Sequence, residues 1–356
     1  MGRVAKVSSA DVARAAGVSR TTVSYVLNGV ANANIPNVTR ERVLKTARQM
    51  GYRINTLARG LKSGRTALIG VYCRVREDSF HERVVHGIYD ICYDEGFNVL
   101  IAYLGTTELI EEESLQRMLD YNVAGIIRIV IGSLTDVEIE RLGKVQTLHK
   151  TSCVLIDDAT HADRFDCVIS DDIAGSIAAV NHLISIGHRR IGFISAGDMT
   201  STARARREGY YASLRLAGIP EDERLVRGVS YVPSDQLAAI HSLLAMEDRP
   251  TALFCPNDAA ASIAREVARE LKLSVPEELA IVGYGDSDIA YFGGLTSVDQ
   301  APEELGRLAV RRILALQDGQ ERPGKSILGP TRLVLRPSTV GGNFVLTGGA
   351  AGMARD

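Results

Sequence analysis

Tryptophan is absent from this chain of 356 residues, and aromatic residues make up only 5% of it. Cysteine is sparse and scattered, with no C-x-x-C pair among Cys73, Cys92, Cys153, Cys167 and Cys255. This spacing argues against a zinc site and against a disulfide framework. We therefore expect reduced thiols in or near strands, a cytoplasmic location, and neither a metal nor a cofactor.

Long apolar runs are also missing, since no stretch approaches the roughly 20 residues of a membrane-spanning helix. The first residues are polar and lead directly into a helical pattern, so we expect no secretory signal. The chain has no P-loop, no G-x-S-x-G and no G-x-G-x-x-G after its first strand, and Lys62 in GLKSGRT precedes the second glycine. These absences argue against an enzyme.

Acidic residues are scarce in residues 1–64, where eleven Lys and Arg accompany only Asp11 and Glu41. This head has a net charge of +9, whereas the rest of the chain carries −11. A basic head on an acidic body is typical of a nucleic-acid-binding module joined to a second domain.

Residues 8–28 have the pattern of two short helices joined by a glycine turn. Ser8 and Asp11 have the spacing of a capping box, and Gly17 suits a turn with positive φ. Ser19 is placed to cap the second helix. The apolar side chains of the second helix face the first helix, and they are Val18, Val23 and Val26. The side chains that face away can form hydrogen bonds, and they are Arg20, Thr21 and Tyr25.

This pattern predicts a helix-turn-helix, whose second helix enters the major groove of DNA. The alternative is an ordinary helical hairpin with a solvated basic face. Pro36 fits the first turn of a third helix, which ends at Gly51 and has an apolar stripe of Val43, Leu44, Ala47 and Met50. The basic segment that follows is too short to be a stable helix alone, so it is either a hinge helix that orders against DNA or a flexible linker.

From Thr66 onward, apolar strands alternate with amphipathic helices in two successive series. This alternation predicts an α/β fold of two doubly wound parallel-sheet lobes. Ligands of such sheets bind beyond the carboxyl ends of the strands, so we expect a cleft between the lobes. The predicted strands are 67–73, 98–105, 123–131 and 152–159 in the first series, and 190–197, 225–232, 251–257 and 279–285 in the second.

The motifs DVARAAGVSRTTVSYVLNG, TRERVLKTARQMGY, STARARREGYYASLRLAGI, FCPNDAA and LTSVDQAPEELG occur in this order. With them, residues 5–340 resemble the lac repressor and galactose repressor family of bacterial transcription regulators. The resemblance implies a helix-turn-helix domain (1–53), a hinge helix or linker (54–65), an effector-binding and dimerisation domain (66–340) and a tail (341–356). Within 66–340, it implies a periplasmic-binding-protein-like fold with an N-lobe of about 66–169 and 301–328 and a C-lobe of about 170–297 and 329–340.

The resemblance implies a repressor whose affinity for a pseudo-palindromic DNA operator is changed by a small molecule, a sugar or a related metabolite. A homodimer is expected, because the glycine-rich tail has no leucine heptads for a tetramer. Two alternatives remain open. One is a two-lobed solute-binding protein, and the other is a global regulator that uses a protein corepressor.

The family's DNA contacts fall on the second helix and the hinge. Arg20 is suited to a bidentate pair with guanine, whereas Thr21 contacts either a base or only phosphate. Leu61 corresponds to a wedge inserted into the minor groove, and Ala58 lets two hinge helices approach. The complete set implied is Ser19, Arg20, Thr21, Thr22, Tyr25, Asn28, Asn55, Ala58, Arg59 and Leu61.

The family's effector contacts fall on Phe80, Asp157, Arg206, Asn257, Asp286 and Gln300. Phe80 is either an aromatic that stacks on the ligand or a core residue. Asn257 is expected to face the ligand, while Asp258 is expected to cap the following helix.

One departure concerns the chemistry of the ligand. Gly285 stands where sugar-binding relatives have an aspartate that accepts from a hydroxyl group, and Asp286 or Asp288 is a possible substitute. Alternatively, the effector is not a simple neutral sugar. His81 and Arg128 favour an anionic group in that case, unless both are solvated surface residues.

Overall fold

The computed structural model describes residues 7–27, 35–52, 66–74, 79–103, 108–130, 132–195, 200–230, 232–317 and 324–341. The chain divides into two compact units, Met1–Thr66 and Ala67–Asp356. No helix among these residues is both long enough and apolar enough to cross a membrane. All five cysteines lie in described segments, where they are buried and form no disulfide.

Three helices build the described part of the first unit: α1 (Ser9–Ala16), α2 (Arg20–Leu27) and α3 (Asn37–Gln49). The predicted capping box is confirmed, because the amide of Asp11 donates to Ser8 Oγ and the amide of Ser8 donates to the Asp11 carboxylate. Gly17 ends α1 at φ 64°, also as predicted. Pro36 is the N-cap residue of α3, one position earlier than predicted. The three helices share a core of Val12, Ala13, Ala16, Val23, Val26, Val43 and Ala47.

Strands and helices alternate through the second unit. The strands are β1 (Leu68–Cys73), β2 (Asn98–Tyr103), β3 (Gly125–Ile129), β4 (Ser152–Ile156), β5 (Asp166–Ser170), β6 (Ile191–Ser195), β7 (Val226–Gly228), β8 (Ala252–Phe254), β9 (Ala280–Tyr284), β10 (Thr296–Asp299), β11 (Ser326–Gly329) and β12 (Arg332–Val334). The helices are α4 (Ser79–Asp94), α5 (Glu108–Asp120), α6 (Asp136–Leu148), α7 (Asp172–Ser185), α8 (Ser201–Leu216), α9 (Pro233–Leu244), α10 (Asp258–Glu270), α11 (Asp288–Gly293), α12 (Pro302–Gln317) and α13 (Pro337–Val340), with a 3₁₀ turn at Glu223–Leu225.

These strands form two six-stranded sheets, which confirms the predicted fold class. The first sheet has the order β11-β5-β4-β3-β1-β2, and its strands are all parallel. The second has the order β12-β10-β9-β8-β6-β7, with β12 antiparallel to β10. The chain passes from the first sheet to the second after β5, returns after β10, and crosses again after β11. The alternation pattern does not predict β5, β10, β11 or β12, which are short and lie next to these crossings.

Two glycines allow α4 and α12 to pack with their backbones in contact. A Cβ atom added to Gly87 would lie 1.8 Å from the carbonyl oxygen of Glu303. A Cβ atom added to Gly306 would lie 2.2 Å from the carbonyl oxygen of Val84. Because backbone atoms cannot yield as a flexible side chain can, a larger residue must force the two helices apart.

We predict that Gly87→Ala lowers the free energy of unfolding by about 1–3 kcal/mol, the usual cost of overpacking. Gly143→Ala is the matched control, because the added Cβ meets only the guanidinium end of Arg164 at 2.9 Å. At that half-buried position of α6, alanine should be neutral or stabilising by up to about 1 kcal/mol through helix propensity. Urea unfolding of both variants checks this, and equal changes would contradict the close packing of α4 on α12.

Candidate functional site

In the first unit, α2 begins with a side-chain cap. The amide of Thr22 donates to Ser19 Oγ at 3.0 Å, and the two hydroxyl oxygens are 2.9 Å apart. Ser19 is therefore the cap that the sequence predicted, and it holds Thr22 beside it. Both hydroxyls lie at the end of the helix where the backbone amides favour an anion such as phosphate.

The outward face of α2 carries Arg20, Thr21 and Tyr25, all of them exposed. Val23 and Val26 on the opposite face are buried against α1 and α3. The apolar residues thus fix the orientation of the helix and leave a guanidinium, a hydroxyl and a phenol facing outward. Asn28, Asn55, Ala58, Arg59 and Leu61 lie outside the described residues, so their roles stay predictions.

In the second unit, a cavity of about 790 Å³ lies at the carboxyl ends of strands from both sheets. Cys73 ends β1, Tyr103 ends β2 and Tyr284 ends β9, and all three line it. Thr200 and Thr202 contribute from the start of α8. This is the position that the doubly wound lobes predicted. Further lining residues are Arg74, His81, Glu82, Val85, His86, Val130, Gly132, Pro256, Asp258, Ala259, Gly285, Ser287, Asp288 and Ile289.

Five of the six predicted effector residues line this cavity: Phe80, Asp157, Arg206, Asn257 and Gln300. Asp157 follows β4 with a left-handed backbone at φ 69°. Gln300 follows β10, and its amide nitrogen donates to Ser170 Oγ at 3.1 Å. That bond joins the ends of β10 and β5, next to two of the chain crossings.

Arg206 is the most constrained of the lining residues. Its Nε donates to Asp172 Oδ1 at 3.0 Å, and its Nη1 donates to the carbonyl oxygen of Pro256 at 2.7 Å. The guanidinium carbon lies 3.8 Å from the centre of the Tyr284 ring. Cation–π stacking and a charge-assisted bond together fix a buried cation in the cavity wall.

Asn257, which lines the cavity, also has the capping role that the sequence suggested for Asp258. The Asn257 side chain caps α10 by accepting from the amide of Ala260 at 2.8 Å, so the prediction that Asp258 caps the helix is wrong. Asn257 has the extended backbone of an N-cap residue, whereas Asp258 is already in the first turn. Its side chain is therefore directed inward and is buried.

The Asp258 carboxylate connects the loop after β9 to β10. It accepts from the amide and the hydroxyl of Ser287, each at 2.8 Å, and from Ser297 Oγ at 2.5 Å. Burial raises the pKa of Asp258 to about 6, since the three hydrogen bonds compensate only partly for the lost solvent.

Asp286 is not among the residues that line the cavity, contrary to its predicted role. Its carboxylate pairs with Arg336 at 2.6 Å, and its amide donates to Ser297 Oγ at 3.0 Å. Gly285 has φ 120°, which strains any residue with a Cβ atom. The carboxylate missing at position 285 is thus not replaced by Asp286, whereas Asp288 is exposed and does line the cavity.

Arg128 is neither an anion-binding residue nor a solvated one, so both alternatives for it are wrong. It is buried, donates to Glu138 Oε1 at 2.9 Å and to the carbonyl oxygen of Ile129, and lies over the ring of Tyr72. Glu138 comes from the first turn of α6, a separate element, and sequence spacing alone does not reveal the pairing. His81, by contrast, does line the cavity.

Sequence motifs missed several lining residues, including Arg74, Thr200, Thr202, Tyr284 and Ser287. Arg74 directly follows β1 and Ser287 follows β9 by three positions. A rule that selects every polar residue within three positions of a strand's carboxyl end would have found both. The two threonines follow β6 by five or more positions and lie beyond such a rule.

Comparison with known proteins covers both units. The family described as bacterial regulatory proteins, lacI family, matches residues 10–55, and a periplasmic binding protein-like domain matches residues 180–339. The HTH-type transcriptional repressor PurR of Haemophilus influenzae (strain PittEE) is 30% identical over 334 residues, which cover 92% of this chain and 97% of that protein. Catabolite control protein A of Priestia megaterium is 31% identical over 333 residues, covering 92% and 98%.

A solved structure extends the similarity to the fold. The lac repressor dimer bound to operator and the anti-inducer ONPF has a TM-score of 0.78 to this chain at 25% sequence identity. The match covers 94% of this chain and 99% of that one.

The buried carboxylate of Asp258 gives a testable dependence on pH. A pKa that is higher in the folded state than when unfolded contributes stability at low pH and loses it as the pH rises through about 6. The rise from 3.8 to about 6 corresponds to roughly 3 kcal/mol. We predict that Asp258→Asn, which cannot ionise, gains up to this amount relative to the original protein between pH 4 and pH 7.

Urea unfolding at several pH values measures this difference for the two proteins. The Asp258→Asn variant also loses hydrogen-bond acceptors, which changes its free energy of unfolding by the same amount at every pH. The test is therefore the slope of the free energy of unfolding against pH. Parallel curves for the two proteins would contradict the raised pKa.

Proposed function

The chain belongs to the lacI family of bacterial regulatory proteins, and from this we propose that it is a transcriptional repressor with a small-molecule effector. It binds operator DNA through α2 and binds the effector in the cavity of the second unit. The effector changes the affinity of the repressor for its operator. The relatives compared above are regulators, and we propose no catalytic reaction for this chain.

The observation that carries this function is the construction of α2. A side-chain cap fixes its first turn, two buried valines fix its rotation, and Arg20, Thr21 and Tyr25 remain exposed on the outward face. Arg20 is suited to donate two hydrogen bonds to guanine O6 and N7. Ser19 and Thr22 are suited to phosphate oxygens, which set the register of the helix on DNA.

A second copy of the chain is part of this proposal, since two heads are needed for a pseudo-palindromic operator. An exposed aromatic face on the second unit supports it. Tyr89 and Tyr93 lie one turn apart on α4 with ring centres 6.4 Å apart, and both are more than half exposed. Ile101 is exposed on β2, which is an edge strand of its sheet. Exposed aromatic side chains that stack on one helix face are suited to a protein–protein contact.

The effector part of the proposal rests on the cavity. Residues from the ends of both sheets line it, so a ligand contacts both lobes at once. A ligand that prefers one arrangement of the lobes shifts the population of that arrangement. Operator binding measured with and without a panel of small metabolites tests this. Release of DNA identifies an inducer, DNA binding only with a ligand identifies a corepressor, and indifference to every ligand that binds the cavity would contradict the proposal.

We predict that Arg20→Ala lowers specific operator affinity by about 10- to 100-fold, the cost of losing one bidentate base contact of about 1–3 kcal/mol. Binding to unrelated DNA should fall much less, because it depends on total charge. Arg14→Ala is the matched control, since Arg14 is exposed on α1 and pairs only with Asp11. That variant should weaken specific and non-specific binding to a similar, small degree.

Fluorescence anisotropy with operator and scrambled duplexes at one fixed salt concentration gives both affinities. If Arg20→Ala weakened both duplexes equally, Arg20 would contact phosphate and not bases.

A further inference from the structure

We propose that the effector is a polyhydroxylated amine, such as an amino sugar, whose positively charged nitrogen binds to the carboxylates of the cavity, and that the cavity rejects anionic metabolites. This inference rests on the proposed function and names the class of ligand.

The described lining of the cavity has a negative formal charge. Among the described lining residues, the carboxylates of Glu82, Asp157, Asp258 and Asp288 outnumber the guanidiniums of Arg74 and Arg206. Within the part of the lining that the structure describes, His81 and His86 are the other groups that can carry positive charge.

Both guanidiniums already have carboxylate partners that do not line the cavity. Arg74 lies 3.4 Å from Glu111, and Arg206 lies 3.0 Å from Asp172. The charge of Arg206 is thus compensated by its own pair, whereas Glu111 also pairs with Arg141 at 3.8 Å and compensates Arg74 only in part. The two guanidiniums therefore offset the four lining carboxylates incompletely. An entering anion would face net repulsion, whereas a cation would be attracted.

Asp258 is the deepest of these carboxylates. Its hydrogen-bond partners are the neutral donors of Ser287 and Ser297, and no described cation forms an ion pair with it. A buried charge with neutral partners alone is costly, and a charged donor from a ligand stabilises it.

Glycine at position 285 places no side chain against this carboxylate, which is itself only 2% exposed. A Cβ atom built on Gly285 would lie 3.4 Å from Asp258 Oδ2, so any larger residue would extend from a point in contact with that oxygen. Asp288 lines the same wall from the first turn of α11. The space next to Gly285 is therefore bordered by two carboxylates and suits an ammonium group.

The rest of the lining suits hydroxyl groups and a nonpolar ring face. Asn257, Gln300, Thr200 and Thr202 offer amides and hydroxyls, and Phe80 offers an aromatic surface. Neutral polar side chains of this kind orient a polyol. Together with the carboxylates, they select an amine that also carries several hydroxyl groups.

The test compares matched ligands on the full chain by isothermal titration calorimetry. The probes are three series of an amine, a neutral sugar and an acid that share the pyranose ring: glucosamine, glucose and glucuronate, with the galactose and mannose counterparts. In at least one series, we expect the amine to bind about tenfold or more tightly than the neutral sugar, the effect of one charge-assisted hydrogen bond. We expect no acid to bind more tightly than its neutral counterpart.

Tighter binding of an acid than of its amine in any series would overturn the proposal, and so would failure of every amine to bind. Operator binding without ligand is measured in the same preparation. Operator binding is also measured with each amine present. A protein that binds operator but no amine is a repressor for another class of ligand, whereas failure to bind operator both without ligand and with every amine would contradict the proposed function itself.

A pair of variants tests whether the preference for the amine arises at Asp288. Asp288→Asn should reduce the preference for amine over neutral sugar about tenfold, because it removes one carboxylate and keeps the shape. Asp136→Asn is the control, since Asp136 is an exposed aspartate in the first turn of α6 and does not line the cavity. An unchanged preference in Asp288→Asn, or an equal loss in Asp136→Asn, would place the amine elsewhere.

Discussion

The buried guanidinium of Arg206 is the interaction on which the wall of the cavity depends. It comes from α8 and is held by Asp172 at the start of α7, by the carbonyl oxygen of Pro256 after β8, and by the ring of Tyr284 at the end of β9. Four elements of one lobe therefore contact a single guanidinium. Because a buried cation needs all of its partners, displacement of one element costs free energy at each of the others.

The Asp258 carboxylate is a second anchor, and it holds the loop between β9 and α11, which contains Asp286 and leads to Asp288. Its bonds to Ser287 and Ser297 fix the loop, and Arg336 draws the Asp286 side chain away. Only Gly285, Ser287 and Asp288 of this loop are left to meet a ligand. A side chain that is already paired within the protein, such as Asp286, is not available to a ligand. The chemistry of the cavity thus depends on these internal pairs as well as on which residues are present.

Local rules predicted the local features. The Ser8–Asp11 capping box, the turn at Gly17 and the Ser19 cap each depend on residues at most three positions apart, and all three are confirmed. The alternation of strands and helices also predicted the fold class, because a helix after each apolar strand covers a face of a parallel sheet.

Predictions about single side chains failed where the partner lies far along the chain or on another element. Asp286 finds Arg336, and Arg128 finds Glu138, and no spacing rule links either pair. The capping of α10 by Asn257 instead of Asp258 has another cause. Both residue types cap helices well, and a boundary that moves by one position decides which of them does so.

The most direct test is a selection of bound sequences from a random DNA library, using the full chain at physiological salt. The account predicts enrichment of a pseudo-palindrome, with two half-sites separated by one helical turn or a multiple of it. Binding to DNA that depends on salt alone and not on sequence would contradict the claim that α2 reads bases.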